Sequence, residues 1–133
     1  MATINSQLAP SADLVGLVIK DQTCDATVFE GALVYIDSGV VYNAIATDIL
    51  TSRVVGIVES KSGSTTCDIR VAGMVEGLFS GLDDNINYFL SSTSAGTMST
   101  SIVTGSGNVL MKIGRPLTDS IFLLGIELRT IRI

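Results

Sequence analysis

Short apolar segments rich in valine, isoleucine and threonine alternate along the chain with polar segments that contain glycine. Because β-branched residues suit a pleated surface better than a helix, this pattern predicts strands. The predicted strands fall within residues 14–20, 32–37, 40–44, 53–60, 66–74, 74–79, 86–92, 108–114 and 120–133. Short strands at this regular spacing are typical of an antiparallel sandwich or a small barrel.

The clearest single strand lies within residues 66–74. Cys67, Ile69 and Val71 fall on one face of it, and the charged residues between them fall on the other. Successive side chains of a strand point to opposite faces, so this alternation predicts a half-buried strand.

Two polar stretches predict chain reversals. Ser38-Gly39 separates two apolar segments and is a two-residue hairpin signal. Residues 91–101 consist mostly of serine and threonine and carry no charge, and we expect them to reverse direction around Ala95-Gly96.

Two further segments are considered in turn: one permits two interpretations, and the other is the last predicted strand. Residues 43–53 fit either one or two turns of helix or a surface loop between strands. Residues 120–133 alternate near their end, so we expect the last strand to be paired.

Length and pattern together predict an all-β fold, a small antiparallel β-sandwich or β-barrel with a short extended N-terminal arm. At 133 residues and 13.9 kDa the chain has the size of one domain. We place the arm at residues 1–13 and the β-domain at residues 14–133. The arm contains Pro10 and one charge, Asp13, and either frays or becomes ordered against a partner.

Composition restricts the partners. The net charge of −5 and the pI near 4.4 argue against nucleic acid, because binding phosphates requires a cationic surface. No basic leader and no long apolar run occur, so we expect synthesis in the cytoplasm and no association with a membrane.

Cys24 and Cys67 are interpreted as small buried apolar residues rather than a disulfide. The hydrophobic content of 47% suggests that another chain covers part of the surface, most simply in a homotrimer.

Chemistry-bearing motifs are scarce, so we predict no enzyme, no cofactor and no metal site. The chain has no histidine, two cysteines far apart in sequence and no phosphate-binding loop. Asp83, Asn85 and Asn87 match the start of a calcium loop, but Tyr88 stands where glycine is needed and Ser94 where glutamate is needed. A polar turn is the favoured interpretation of this stretch. A small hydrolase using Asp and Glu residues is the least favoured function.

A set of glycine and apolar motifs covers about residues 30–125. Its positions are Gly31, Val34 and Tyr35, then Val54, Gly56 and Ile57, then Val71, Gly73 and Val75, then residues 88–99, and finally Ile113, Gly114, Pro116 and Leu117. This set resembles a small β-rich module of tailed-bacteriophage virion proteins, most like capsid decoration (cement) proteins.

The resemblance implies a protein that binds the outer head surface, contacts the major capsid (coat) protein and bridges coat subunits to stabilise the shell. It would be located on the virion, at the capsid surface, after assembly in the host cytoplasm. We expect the N-terminal arm to carry coat contacts, at Thr3, Ile4, Asn5, Gln7 and Leu8.

The alternative is a tail-fibre or adhesin module that binds a host-surface glycan. It calls for an exposed aromatic cluster, for which the candidates are Tyr35, Tyr42, Phe79, Tyr88 and Phe89.

Overall fold

A computed structural model describes residues 17–127 and 131–132, and all regular structure in them is β. The strands are β1 (Val18–Thr23), β2 (Leu33–Asp37), β3 (Val40–Asn43), β4 (Gly56–Gly63), β5 (Thr66–Arg70), β6 (Gly73–Glu76), β7 (Tyr88–Leu90), β8 (Met98–Ser99), β9 (Val109–Leu110), β10 (Lys112–Pro116), β11 (Ile121–Leu124) and β12 (Ile131–Arg132). No helix of a length and apolarity that would cross a membrane occurs in these residues. The predicted arm, residues 1–13, lies outside them.

Two antiparallel five-stranded sheets form the domain. The first has the order β1-β5-β4-β2-β3 and the second β6-β11-β10-β7-β8, while β9 and β12 pair separately. The all-β prediction is therefore confirmed. Neither sheet closes into a barrel. Of the two predicted architectures, the structure therefore agrees with the small β-sandwich.

The main hydrophobic core contains residues from both sheets. Leu33 and Ile57 come from the first sheet, and Leu90, Ile113 and Phe122 come from the second; all five are at most 1% exposed. Inward-facing side chains at alternate positions of each sheet explain this shared layer.

A second, smaller core lies on the other face of the first sheet. Val34, Val58 and Ile69 are fully buried there, together with Cys24 and Cys67. Neighbouring residues of β2 and β4 thus belong to different cores, because successive side chains point in opposite directions. A single parallel bridge between Cys24 and Val41 joins the chain after β1 to β3 and helps to enclose this core.

The two predicted reversals are confirmed. Ser38 and Gly39 connect β2 to β3 with φ angles of 52° and 80°, the geometry of a type I′ hairpin. In the serine-rich stretch, β7 pairs antiparallel with β8, and Gly96 has a φ of 81°. The Ser91 hydroxyl oxygen accepts hydrogen bonds from the backbone N–H groups of Thr93 and Ser94, each at 3.1 Å.

Of the two interpretations of residues 43–53, the loop is correct. After β3 the chain makes successive turns, in which the Leu50 N–H donates to Asp48 Oδ2 at 3.1 Å and the Thr51 hydroxyl donates to the Ile45 carbonyl at 2.9 Å. Ile49 and Leu50 are 38% and 43% exposed, so these apolar side chains do not form the buried stripe of an amphipathic helix.

The predicted strand over residues 120–133 is two strands rather than one. It is interrupted after β11 at residues 125–127, where Gly125 and Glu127 donate backbone hydrogen bonds to Ile113 and Lys112. The expected pairing at the end is confirmed for Ile131 and Arg132, because β12 runs antiparallel to β9.

Candidate interaction site between the two sheets

The stretch that resembles a calcium loop is a hydrogen-bonded turn. Asn85 has a φ of 60°, and the Asp83 N–H donates to the Tyr88 hydroxyl oxygen at 2.9 Å. The guanidinium of Arg115 donates to Asn85 Oδ1 at 3.3 Å, so the amide oxygen that a calcium loop would direct at the ion points to a cation of the protein itself. Across residues 17–127 no group of three or more Asp, Glu or Cys side chains is arranged to hold a metal.

Cys24 and Cys67 are buried free thiols, as predicted. Burial, followed by the side-chain hydrogen bond that the neutral Cys67 thiol makes with Cys24, raises the pKa of Cys67 to about 12. Because the thiolate is the nucleophilic form, Cys67 is unreactive at neutral pH. These cysteines therefore belong to the second core.

An apolar cavity in the described part of the chain opens where the two sheets meet. It has a volume of about 250 Å³. Its lining comes from the loop before β2, the loop after β6, and the β7–β8 hairpin, and consists of Phe29, Gly31, Phe79, Leu82, Tyr88, Gly96, Thr97 and Met98. We call this cavity the seam pocket.

Two aromatic side chains form the inner wall of the seam pocket. Phe79 and Tyr88 each contact the buried ring of Phe122 edge-on, with ring centroids 6.1 Å and 5.8 Å apart. Such edge-to-face pairs fix ring orientation, and Phe122 itself is fully buried. The inner wall is therefore preorganised.

A glycine keeps the pocket open on the side of the hairpin. A Cβ atom at Gly96 would lie 3.0 Å from the ring of Phe29 and 3.1 Å from Asn43 Oδ1. The positive φ of Gly96 adds a second cost for any other residue. The hairpin turn and the pocket thus depend on the same position.

Phe29 forms the outer edge of the pocket and is 41% exposed. Two acidic residues are sequence neighbours of residues that line the pocket. Glu30 follows Phe29, Asp83 follows Leu82, and both acidic residues are exposed. Lys61 contacts the segment that leads to Phe29. Its ammonium group donates to the Val28 carbonyl at 2.7 Å, and its backbone N–H donates to Glu30 Oε2 at 3.0 Å. The site is therefore an apolar socket whose lining residues Phe29 and Leu82 are each followed in the chain by an exposed acidic residue.

The aromatic residues named for a glycan platform do not form one. Tyr88 is 8% exposed, and the other four are half-buried. Tyr35 stacks on Tyr42 at 5.6 Å, and burial raises the pKa of the Tyr35 hydroxyl. The exposed aromatic residue is Phe29, which was not singled out because a single Val28-Phe29 pair between polar residues gives no periodic signal.

The coat-contact residues predicted for the arm, Thr3, Ile4, Asn5, Gln7 and Leu8, lie outside the described residues. The seam pocket, by contrast, is formed by residues that sequence patterns do not bring together. No protein-family model matches the chain, and neither a curated protein nor a solved structure matches it.

Proposed function

We propose that the protein is a bacteriophage capsid decoration protein that binds the outer head surface and bridges neighbouring coat subunits. The motifs at residues 30–125 suggest this class, and the seam pocket is the observation that carries the proposal. An apolar socket with a preorganised wall, close in sequence to exposed acidic residues, fits the general anatomy of a protein-binding site.

In this proposal an apolar side chain of the coat protein enters the seam pocket. A lysine or arginine beside it on the coat chain pairs with Glu30 or Asp83. Apolar burial supplies most of the affinity, while these charges steer the encounter. Each copy adds a modest free energy, and the symmetry of the shell multiplies it.

The chain also self-associates in this proposal, as a homotrimer at a local threefold axis of the head. The N-terminal arm, chiefly residues 3–8, adds a second contact to the coat protein. Neither nucleic acid nor a membrane takes part, and the protein acts without a cofactor and is not an enzyme. The glycan-binding adhesin loses its main support, because the five aromatic residues named for it form no exposed cluster.

A binding assay on capsids tests the role of the pocket. Phe29→Lys places a charge at the socket, while Leu117→Lys places the same charge at an exposed apolar residue outside it, 42% exposed against 41% for Phe29. We expect Phe29→Lys to lower capsid occupancy at least tenfold in co-sedimentation with heads lacking the protein. Leu117→Lys should bind as the parent does. Equal binding by both variants would remove the pocket from the contact.

Immunogold electron microscopy of virions tests the location independently. Gold spread over the heads is the expected result. Gold confined to the tail tips would overturn the decoration assignment in favour of an adhesin.

A further inference from the structure

A second cleft is formed by other residues of the β7–β8 hairpin together with the segment that follows it, and it differs in chemistry from the seam pocket. One wall consists of residues 91–93 and Ser99, and the other consists of residues 101–104 and Asn108. Its volume is about 520 Å³, within the range of roughly 300–1,000 Å³ that small-molecule sites occupy. We call it the hydroxyl cleft.

The lining of the hydroxyl cleft carries no ionisable side chain. It contains hydroxyl groups from serine and threonine, one amide and two aliphatic side chains. A hydroxyl both donates and accepts, so such a lining matches a ligand whose own groups do both. An anion would find no cation here, and a metal ion would find no carboxylate.

Several polar groups of the cleft are available to a ligand. Within the described chain, the hydroxyls of Ser92, Ser101 and Thr104 make no hydrogen bond. The amide nitrogen of Asn108 donates to the Thr104 carbonyl at 2.8 Å, which leaves Asn108 Oδ1 as a free acceptor. These groups lie on both walls.

The walls are held by the fold. Ser91 is 7% exposed, and its hydroxyl oxygen accepts the two N–H groups that shape the turn after β7. On the opposite wall, the buried Val103 anchors its loop in the main core, while the adjacent Ile102 is 65% exposed. The backbone on both sides of the cleft is therefore anchored, beside one exposed aliphatic side chain.

We propose that the hydroxyl cleft binds a neutral saccharide. The free hydroxyls and Asn108 Oδ1 exchange hydrogen bonds with the sugar hydroxyls, and Ile102 packs on its C–H face. No aromatic ring lines the cleft, so stacking does not contribute and we expect weak binding, in the millimolar range. This site goes beyond capsid binding and uses none of the residues of the seam pocket.

Titrations of ¹⁵N-labelled protein followed by ¹H–¹⁵N NMR test the proposal. The probes are D-glucose, D-galactose and N-acetylglucosamine, their linear trisaccharides, and N-acetylneuraminic acid as a charged comparison. We expect at least one neutral sugar to shift amides of residues 91–93 and 101–108 selectively, and the charged sugar to have a smaller effect. Tighter binding of the trisaccharide than of the monosaccharide would indicate that the cleft binds a sugar unit within a glycan chain. Equal binding of the two would indicate that it binds a free sugar.

A matched pair of variants checks the groups involved. Ser101→Ala with Thr104→Val removes two cleft hydroxyls, whereas Ser64→Ala with Thr65→Val removes the same groups from the exposed β4–β5 turn. The first pair should weaken binding at least fivefold, and the second should leave it unchanged. The absence of cleft shifts with every neutral probe, or equal binding by both variants, would overturn the proposal. Mapping the shifts on the parent protein decides the matter even if a variant fails to fold.

Discussion

Replacement of Phe122 by alanine should be among the most destabilising substitutions in this protein. The side chain is fully buried in the main core and contacts both Phe79 and Tyr88 edge-on. A buried Phe→Ala change costs about 3–5 kcal/mol through lost burial and the cavity left behind. Each lost edge-to-face contact accounts for about 0.5–1.5 kcal/mol, part of which that range already contains. We therefore expect the free energy of unfolding to fall by about 5 kcal/mol.

A loss of that size approaches the whole stability of a small domain, which is about 5–15 kcal/mol. Urea unfolding followed by circular dichroism measures it directly, provided that the slope of the transition stays constant. Phe89→Ala is the matched control, because Phe89 lies between Tyr88 and Leu90 on β7 but is only half-buried and outside the main core. Should Phe122→Ala cost no more than Phe89→Ala, the shared core between the sheets would be wrongly identified.

Two further predictions concern the backbone and the buried thiols. Gly114→Ala would place a Cβ 2.2 Å from the Leu123 carbonyl oxygen, so it should lower the thermal midpoint by at least about 5 °C. Gly125→Ala is the control and should change the midpoint little, because a Cβ there has nothing within 4 Å. Equal shifts of the two variants in differential scanning calorimetry would contradict the close approach of β10 and β11. The raised pKa of Cys67 favours the neutral thiol in the folded state, so its contribution to stability is complete below the ordinary value of 9.0 and is lost as the pH rises toward about 12. Cys67→Ala should remove this part of the alkaline decline, and a decline of unchanged steepness between pH 9 and 11 in urea titrations would refute the assignment.

Local patterns predicted the strands because burial on one face leaves a period of two in the sequence. β5 is the clearest example, with Cys67 and Ile69 fully buried between half-buried polar residues. The hairpin at Ser38-Gly39 was predictable for a similar reason, since its positive φ angles restrict the residues that fit. Both signals depend only on neighbours in sequence.

Strand order and the candidate sites depend on contacts between residues that are distant in sequence, so no local sequence pattern predicts them. The pairing of β1 with β5 and of β6 with β11 joins segments far apart in the chain. Burial of the first sheet on both faces likewise depends on what packs against it. The seam pocket draws its lining from three separate segments, so neither the exposed Phe29 nor the opening at Gly96 could be recognised as part of one site.

The bridge between Cys24 and Val41 also determines where another chain could extend the fold. It draws the end of β1 against β3, the two outer strands of the first sheet, and β1 is further distorted by a bulge between Ile19 and Gln22. Such an irregular, partly closed margin is a poor template for an added strand. In the second sheet β8 has two residues, whereas β6 presents four residues at an outer margin. Among the outer strands of the two five-stranded sheets, β6 is therefore the best suited to strand addition, and pairing through one such margin joins two subunits rather than building an open-ended fibre.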